Sequence, residues 1–253
     1  MKNGKTHALD ETLDALLGGA IQLYQSRPGY RFSLDAVLLA HFVTVKQRDR
    51  IVDLGAGNGA VALMLALLHP TARLLGIEIQ PAMLERARRN VALNGLEERV
   101  KMHAGDVRAL PTLGAPATFD AVVCNPPYRT PLSGRVSPNP ERRMARHEFE
   151  GALIHFVQAG SFLLKSKGRL ALVYPAVRSV EVLGAMRAGG IEPKRLRMVH
   201  SSERSPASLI LTEGVKGGKS EITVEAPLLV YDRERHYSGE VSRMLRGSVK
   251  ERV

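Results

Sequence analysis

Tryptophan is absent from the 253 residues, and aromatic side chains make up only 5% of them. That scarcity argues against an extended stacking surface of the kind that single-strand-binding modules present. There is one cysteine, so no disulfide can form within the chain, and a reducing compartment is expected. The opening "MKNGKTHALDETLDALLGGA" lacks the long apolar run of a signal peptide or membrane span, which makes the expected location cytoplasmic and not membrane-bound. The histidines show no metal-ligand spacing, and no metal is expected. Acidic residues are the remaining shortfall. Against 36 Lys and Arg stand 25 Asp and Glu, a net charge of +11. Such a surplus favours polyanionic partners, because neutralised phosphates release counterions. Charge alone raises nucleic acid as a partner without establishing it.

What is present reads as strands alternating with helices. Residues 1–20 read as a polar segment frayed at its start. "RIVDLGAG" (50–57) is a buried strand entering a glycine turn, and "AVALMLALLHP" (60–70) a helix stopped by Pro70. "ARLLGIEI" (72–79) is a second strand; residues 81–95 form a helix with Pro81 in its first turn and Gly95 as its stop. Strands follow at 100–107 and 118–125, then a helix over 147–168 ending at Gly168, a strand at 169–175, a helix at 178–190 and a sixth strand at 194–200. The alternation predicts parallel βαβ units with helices on both faces. No helix separates the sixth strand from "ASLILTEG", so a closing hairpin should add one antiparallel strand. The one long irregular stretch is "RTPLSGRVSPNPERRMAR" (129–146); a loop of that length in a compact domain is functional or disordered.

Three places carry chemistry. The first is "VDLGAGNGA", which sets Asp53 at a strand end and then Gly55, Gly57 and Gly59. Glycines permit a tight turn and let a cofactor approach the backbone. Glu78, nineteen residues past Gly59 at the end of the second strand, is placed to accept hydrogen bonds from a ribose diol. The turn does not by itself separate a nicotinamide enzyme from a methyltransferase. The second is Asp106 in "HAGDV", which can either accept a proton from an adenine amino group or serve as a helix N-cap.

The third is "CNPPY", at the end of the fourth strand. If that strand neighbours the first, Asn125 lies beside the glycine turn. An exocyclic amino nitrogen on an aromatic base is a poor nucleophile, because its lone pair is delocalised into the ring. The Asn125 side-chain oxygen and the Pro126 carbonyl, its direction fixed by Pro127, can accept from the two N–H groups and aim the lone pair at an electrophile. Tyr128 offers a ring face to the base, a stack of about 1–3 kcal/mol. Cys124, one position earlier, reads as a core thiol.

"VDLGAGNG", "IE", "AGD" and "CNPPY" in this order resemble class I S-adenosylmethionine-dependent methyltransferases of the amino-modifying kind. The resemblance implies a Rossmann-like α/β fold with a seven-stranded, mostly parallel sheet, forming one domain over 26–253 behind an N-terminal extension of 1–25. Asn-Pro-Pro-Tyr implies a planar nitrogen acceptor: adenine in nucleic acid, guanine in ribosomal RNA, or a glutamine side chain in a release factor. The glutamine enzymes carry a longer helical domain before the glycine turn, and many guanine enzymes a second domain. The closing stretch 214–241 is similar to that of bacterial valine transfer-RNA adenine-N6 methyltransferases, which implies that activity, with S-adenosyl-L-methionine as cofactor and tRNA as partner. By the same resemblance, Tyr30, Arg31, Ser33 and Asp35 line the methionine end of the cofactor, with Asn125 also against it. Ser33 and Asp35 equally suit the N-cap and first turn of a helix.

The basic residues are candidates for the RNA face. Arg129, Arg135, Arg142, Arg143 and Arg146 follow the catalytic tetrapeptide directly; Lys194, Arg195, Arg197 and Arg204 flank the sixth strand; Lys216 and Lys219 sit in a glycine-rich turn.

Overall fold

The structure is a computed structural model that describes residues 11–27, 33–127 and 152–247. It opens on a hairpin, β1 (Glu11–Leu16) paired antiparallel with β2 (Ile21–Ser26). The segment over 1–20, expected to be polar and frayed at its start, carries this hairpin from Glu11 onward, a strand pair not expected from the sequence; its start lies outside the described residues. Leu16, Leu17, Ile21 and Leu23 are buried, and their removal from water fastens the hairpin to the domain.

Helices and strands then alternate: α1 (Leu34–Phe42), β3 (Arg50–Leu54), α2 (Ala60–Leu68), β4 (Arg73–Glu78), α3 (Pro81–Leu93), β5 (Val100–Ala104) and β6 (Phe119–Cys124). Next come α4 (Ala152–Leu163), β7 (Leu164–Pro175), α5 (Ser179–Ala188), β8 (Ile191–His200) and β9 (Ala207–Lys216). Two short strands, β10 (Thr223–Val224) and β11 (Leu228–Leu229), and a last helix, α6 (Gly239–Leu245), complete the described chain.

Outside the hairpin the strands form one sheet in the order β10-β8-β9-β7-β6-β3-β4-β5, with β11 also paired to β8. Seven long strands carry it, as expected, and the two short ones extend the β8 edge. Its pairings are parallel except those of β9, which runs antiparallel to both β7 and β8. The missing helix is the cause: a short link from β8 to β9 can only reverse the chain. Alternate residues face opposite layers. Ile51, Val123, Ala171 and Leu211 pack with α1, α2, α3 and α6, while Val52, Val122, Leu170 and Ile210 pack with α4 and α5.

Two boundaries differ from expectation. The helix predicted to run to Gly168 ends at Leu163, because the next residues join β7. Leu164 pairs with Phe119, and Lys165 Nζ reaches the Asp120 carboxylate at 2.7 Å. A Cβ on Gly168 would lie 2.9 Å from the Lys165 carbonyl, so this glycine permits a crowded strand and not a helix stop. The second difference is α6, which lies in a stretch to which the sequence reading assigns no element. Ser238 caps it, its Oγ accepting from the Val241 N–H at 3.3 Å.

Candidate active site

Leu54 of β3 pairs with Cys124 of β6. The two chains leave the sheet side by side, Gly55 from one and Asn125 from the other. β4 lies on the far side of β3, with β5 beyond it, so Glu78 and Asp106 emerge at the same edge. This is the edge at which open α/β sheets bind their ligands.

The glycine turn is held by its neighbours. The N–H groups of Gly55 and Ala56 both donate to the Ile77 carbonyl, at 2.9 and 3.0 Å. Gly55 has φ 70°, and a Cβ there would lie 3.0 Å from the Phe156 ring of α4, so the turn needs glycine for conformation and for packing. Glu78 is buried. Its Oε2 accepts the Gly57 N–H and its Oε1 the Gln80 N–H, each at 2.8 Å. The carboxylate is thus fixed against the turn.

Asp53 sits below the turn, 1% exposed. Its Oδ2 is buried without a hydrogen-bond partner among the described residues. Burial first, and the nearby Glu78 charge second, push its pKa up to about 7, against the opposing pull of the Ala62 backbone N–H. A buried acid with an open lone pair is a receptor for a cationic donor. Cys124 is fully buried, and burial together with Asp53 drives its thiol far up. It stays protonated and inert, as a core residue should.

Asn125 is half-buried, Pro126 buried and Pro127 half-buried. The Asn125 carboxamide has no hydrogen-bond partner among the described residues. Asp106, in contrast, is occupied. Its carboxylate accepts from the Arg108 backbone N–H at 2.9 Å and from the guanidinium at 2.7 Å. That fork holds its pKa below the usual carboxylate range, burial opposing. Ser33 takes the N-cap position of α1 without a capping bond from its hydroxyl, and Asp35 lies in the first turn. Tyr30, Arg31, Tyr128, Arg129, Arg135, Arg142, Arg143 and Arg146 lie outside the described residues.

The other basic candidates are not brought to this edge. β8 runs parallel to β7, so its start, the end of β9 and the turn after it lie at the opposite edge. Lys216 Nζ donates to the Ser161 and Leu164 carbonyls at 2.6 and 2.8 Å. Lys194 Nζ donates to the carbonyls of Lys219 and Ser220, which puts Lys219 in the same turn. Arg195 pairs with Glu213 and Glu225 and lies over the Phe42 ring, 4.4 Å from its centroid. The side chains of Lys194, Arg195 and Lys216 thus hold the fold together. Arg204 differs, exposed in the β8–β9 link at the crevice edge.

The sequence reading missed the residues that tie the hairpin to the glycine turn. Asn90 of α3 accepts the Tyr24 N–H at 2.7 Å and donates to the Tyr24 carbonyl at 3.1 Å. It also donates to the Asn58 carbonyl at 2.9 Å, inside the turn. Asn94, one helical turn on, exchanges the same pair of bonds with Gln22. Two carboxamides therefore imitate a neighbouring strand. The available signal was an i, i+4 pair of asparagines on a helix face that otherwise packs inward.

The family described as "Methyltransferase domain" matches residues 46–192. A tRNA1(Val) (adenine(37)-N6)-methyltransferase of Porphyromonas gingivalis is 35% identical over 189 residues, 72% of this chain and 73% of that protein. The protein of the same name from Tolumonas auensis is 28% identical over 219 residues, 85% and 88% of the two chains. A solved structure from Agrobacterium tumefaciens, described as a "predicted O-methyltransferase", is similar with TM-score 0.70 and 26% identity, over 85% of this chain and 97% of that one.

Proposed function

This chain belongs to the methyltransferase-domain family, and from that membership we propose that it transfers a methyl group from S-adenosylmethionine to the N6 amino group of adenine 37 in a valine tRNA. The observation that carries the reading is the pairing of β3 with β6, which sets Asn125 and its two prolines beside the glycine turn. The names of the relatives supply the acceptor.

The site suits the cofactor. Asp53 Oδ2 is an unpartnered buried acceptor for an ammonium. Glu78 is fixed by two backbone N–H groups and can take a ribose diol. Asp106 meets an adenine amino group only if it shares or releases Arg108. Tyr30, Arg31, Ser33 and Asp35 belong to the methionine end. When bound, S-adenosylmethionine supplies an electrophilic methyl on a sulfonium.

The chain's own part is positioning. The Asn125 oxygen and the Pro126 carbonyl accept from the two N–H groups of the target amine, restoring lone-pair density to nitrogen. Pro127 fixes the direction of that carbonyl, and the Tyr128 ring stacks on the base. Neither acceptor is a strong base, so the proton leaves after nitrogen has become cationic. Arg129, Arg135, Arg142, Arg143 and Arg146, which follow Tyr128 in sequence, bind the RNA backbone. Lys194, Arg195, Lys216 and Lys219 are left out of this proposed face: all four lie at the opposite edge, and the side chains of the first three are engaged within the fold.

The test is methyl transfer onto bulk tRNA followed by nucleoside analysis. N6-methyladenosine is the expected product. Label confined to protein, to guanine or to an oxygen would refute the reading.

A further inference from the structure

The chain leaving β11 makes a turn that the reaction does not use. β11 pairs parallel with the end of β8, Leu228 opposite Val199 and Leu229 opposite His200. The turn beyond therefore projects from the carboxyl edge of the sheet, the edge of Asn125. Four strand spacings separate β11 from β6, about 19 Å along the sheet.

Tyr231 and Tyr237 face each other across this turn. Their rings stack with centroids 5.3 Å apart and planes at 16°, and they are 38% and 43% exposed. In a chain with so few aromatics, two of the six tyrosines are stacked at the surface and not in the core. Burial and the neighbouring ring raise the Tyr237 pKa, so its phenol stays uncharged. Ser201, Ser202, Tyr231, Asp232 and Arg235 line a depression of about 470 Å³ here.

The charges of the turn sort into paired and unpaired. Asp232 Oδ1 accepts the N–H groups of Glu234 and His236 and so builds the turn. Arg233 pairs with Glu203, and Glu234 lies 3.6 Å from His236. Arg204 and Arg235 are exposed, and their guanidiniums have no hydrogen-bond or ion-pair partner among the described residues. Arg235 also holds φ 64°, a left-handed conformation in which glycine or asparagine would be less strained. A strained arginine at the lip of an aromatic depression calls for a role outside folding.

We propose that the Tyr231–Tyr237 turn, with Arg204 and Arg235, is a second RNA contact, which stacks an unpaired nucleotide of the substrate and holds its phosphate while the acceptor base occupies the Asn125 site. The inference rests on the proposed function and names the surface by which that substrate docks. Aromatic faces accept any base, and guanidiniums accept the phosphate beside it. The platform therefore adds affinity and register without reading sequence.

The test measures tRNA affinity, KM for tRNA and cofactor affinity on the full chain and three variants. Arg235→Gly is expected to keep or raise Tm, because it relieves the left-handed strain. It should nevertheless weaken tRNA binding about 3- to 10-fold and lower the salt slope by about one. Tyr237→Ala should weaken binding about 5- to 100-fold, the range of one lost base–aromatic stack, while Tyr237→Phe stays near wild type. Cofactor affinity should be unchanged in all three. Wild-type tRNA affinity and KM in both Arg235→Gly and Tyr237→Ala would overturn the proposal. If wild type methylates no tRNA, the proposed function falls instead. Cross-linking of 4-thiouridine-substituted tRNA to wild type then decides the platform separately, by whether or not a nucleotide attaches to the 231–237 peptide.

Discussion

Leu54 and Cys124 are opposite one another on neighbouring parallel strands, so the glycine turn and the Asn-Pro-Pro segment begin at the same height. In the proposed function this puts a cofactor held by the first within reach of an acceptor held by the second. The two segments are brought together by strand order, since β6 pairs with β3 and not with β5.

Asn125→Ala should separate turnover from binding. The carboxamide has no structural partner among the described residues, so folding should be unaffected. Removing one acceptor aimed at the reacting amine should lower kcat about 100- to 1,000-fold. Cofactor affinity, measured by calorimetry, should move little. Equal losses in turnover and cofactor affinity would make Asn125 a binding residue only.

Asp53 should leave a pH signature. Its folded pKa of about 7 lies above the ordinary value of 3.8. The folded state then holds more protons than the unfolded state between roughly pH 4 and 7, and stability from this group falls as pH rises through that window. Asp53→Asn removes the ionised form, so it should raise Tm above pH 7 and flatten the slope below it. Cofactor affinity should fall. In wild type, cofactor binding near pH 6 should release a proton, read by calorimetry in two buffers of different ionisation enthalpy. No release, together with an unchanged Tm profile in the variant, would contradict the assignment.

Asn90→Ala should loosen the hairpin from the glycine turn. It leaves the Tyr24 N–H and carbonyl and the Asn58 carbonyl without their partner, at a cost of about 1–3 kcal/mol for each group that stays buried. A Tm decrease of about 2–4 °C per kcal/mol lost is expected, with a weaker cofactor affinity because Asn58 lies within the turn. Thermal melts with and without S-adenosylhomocysteine measure both.

Replacing Arg142 and Arg143 together with Gln should weaken tRNA binding and reduce its salt slope by about two, one for each phosphate contact. Cofactor affinity should stay unchanged. The matched change at Lys216 should instead lower Tm, because its ammonium holds the Ser161 and Leu164 carbonyls. RNA titrations at two salt concentrations separate these roles.

The sheet and the reacting edge were legible because their signals are local. A glycine turn, an acid at the next strand end and an amide before two prolines each mark a strand terminus, and the missing helix before "ASLILTEG" marks the antiparallel strand. The hairpin was not legible in the same way. Its polar anchors, Asn90 and Asn94, lie far along the chain, and nothing local marks Leu16, Leu17, Ile21 and Leu23 as the residues it buries. Charge was legible only as a total. The sequence does not say that Lys194 and Lys216 lie at the opposite edge of the sheet from Asn125, or that Glu213 and Glu225 neutralise Arg195. Asp106 was read with both alternatives open, and the Arg108 fork shows that its oxygens already have partners. Aromatic content of 5% likewise says nothing of position: Tyr231 and Tyr237 meet each other at the surface, at the carboxyl edge of the sheet.

The most direct measurement of the central claim is methylation of a purified valine tRNA transcript, with the modified nucleotide mapped by nuclease digestion and mass spectrometry. The account predicts one N6-methyl group on adenine 37, lost when that adenine is replaced by guanine and reduced at least 100-fold in Asn125→Ala. Methylation that persists after the adenine is replaced, or a product methylated on another atom, would contradict it.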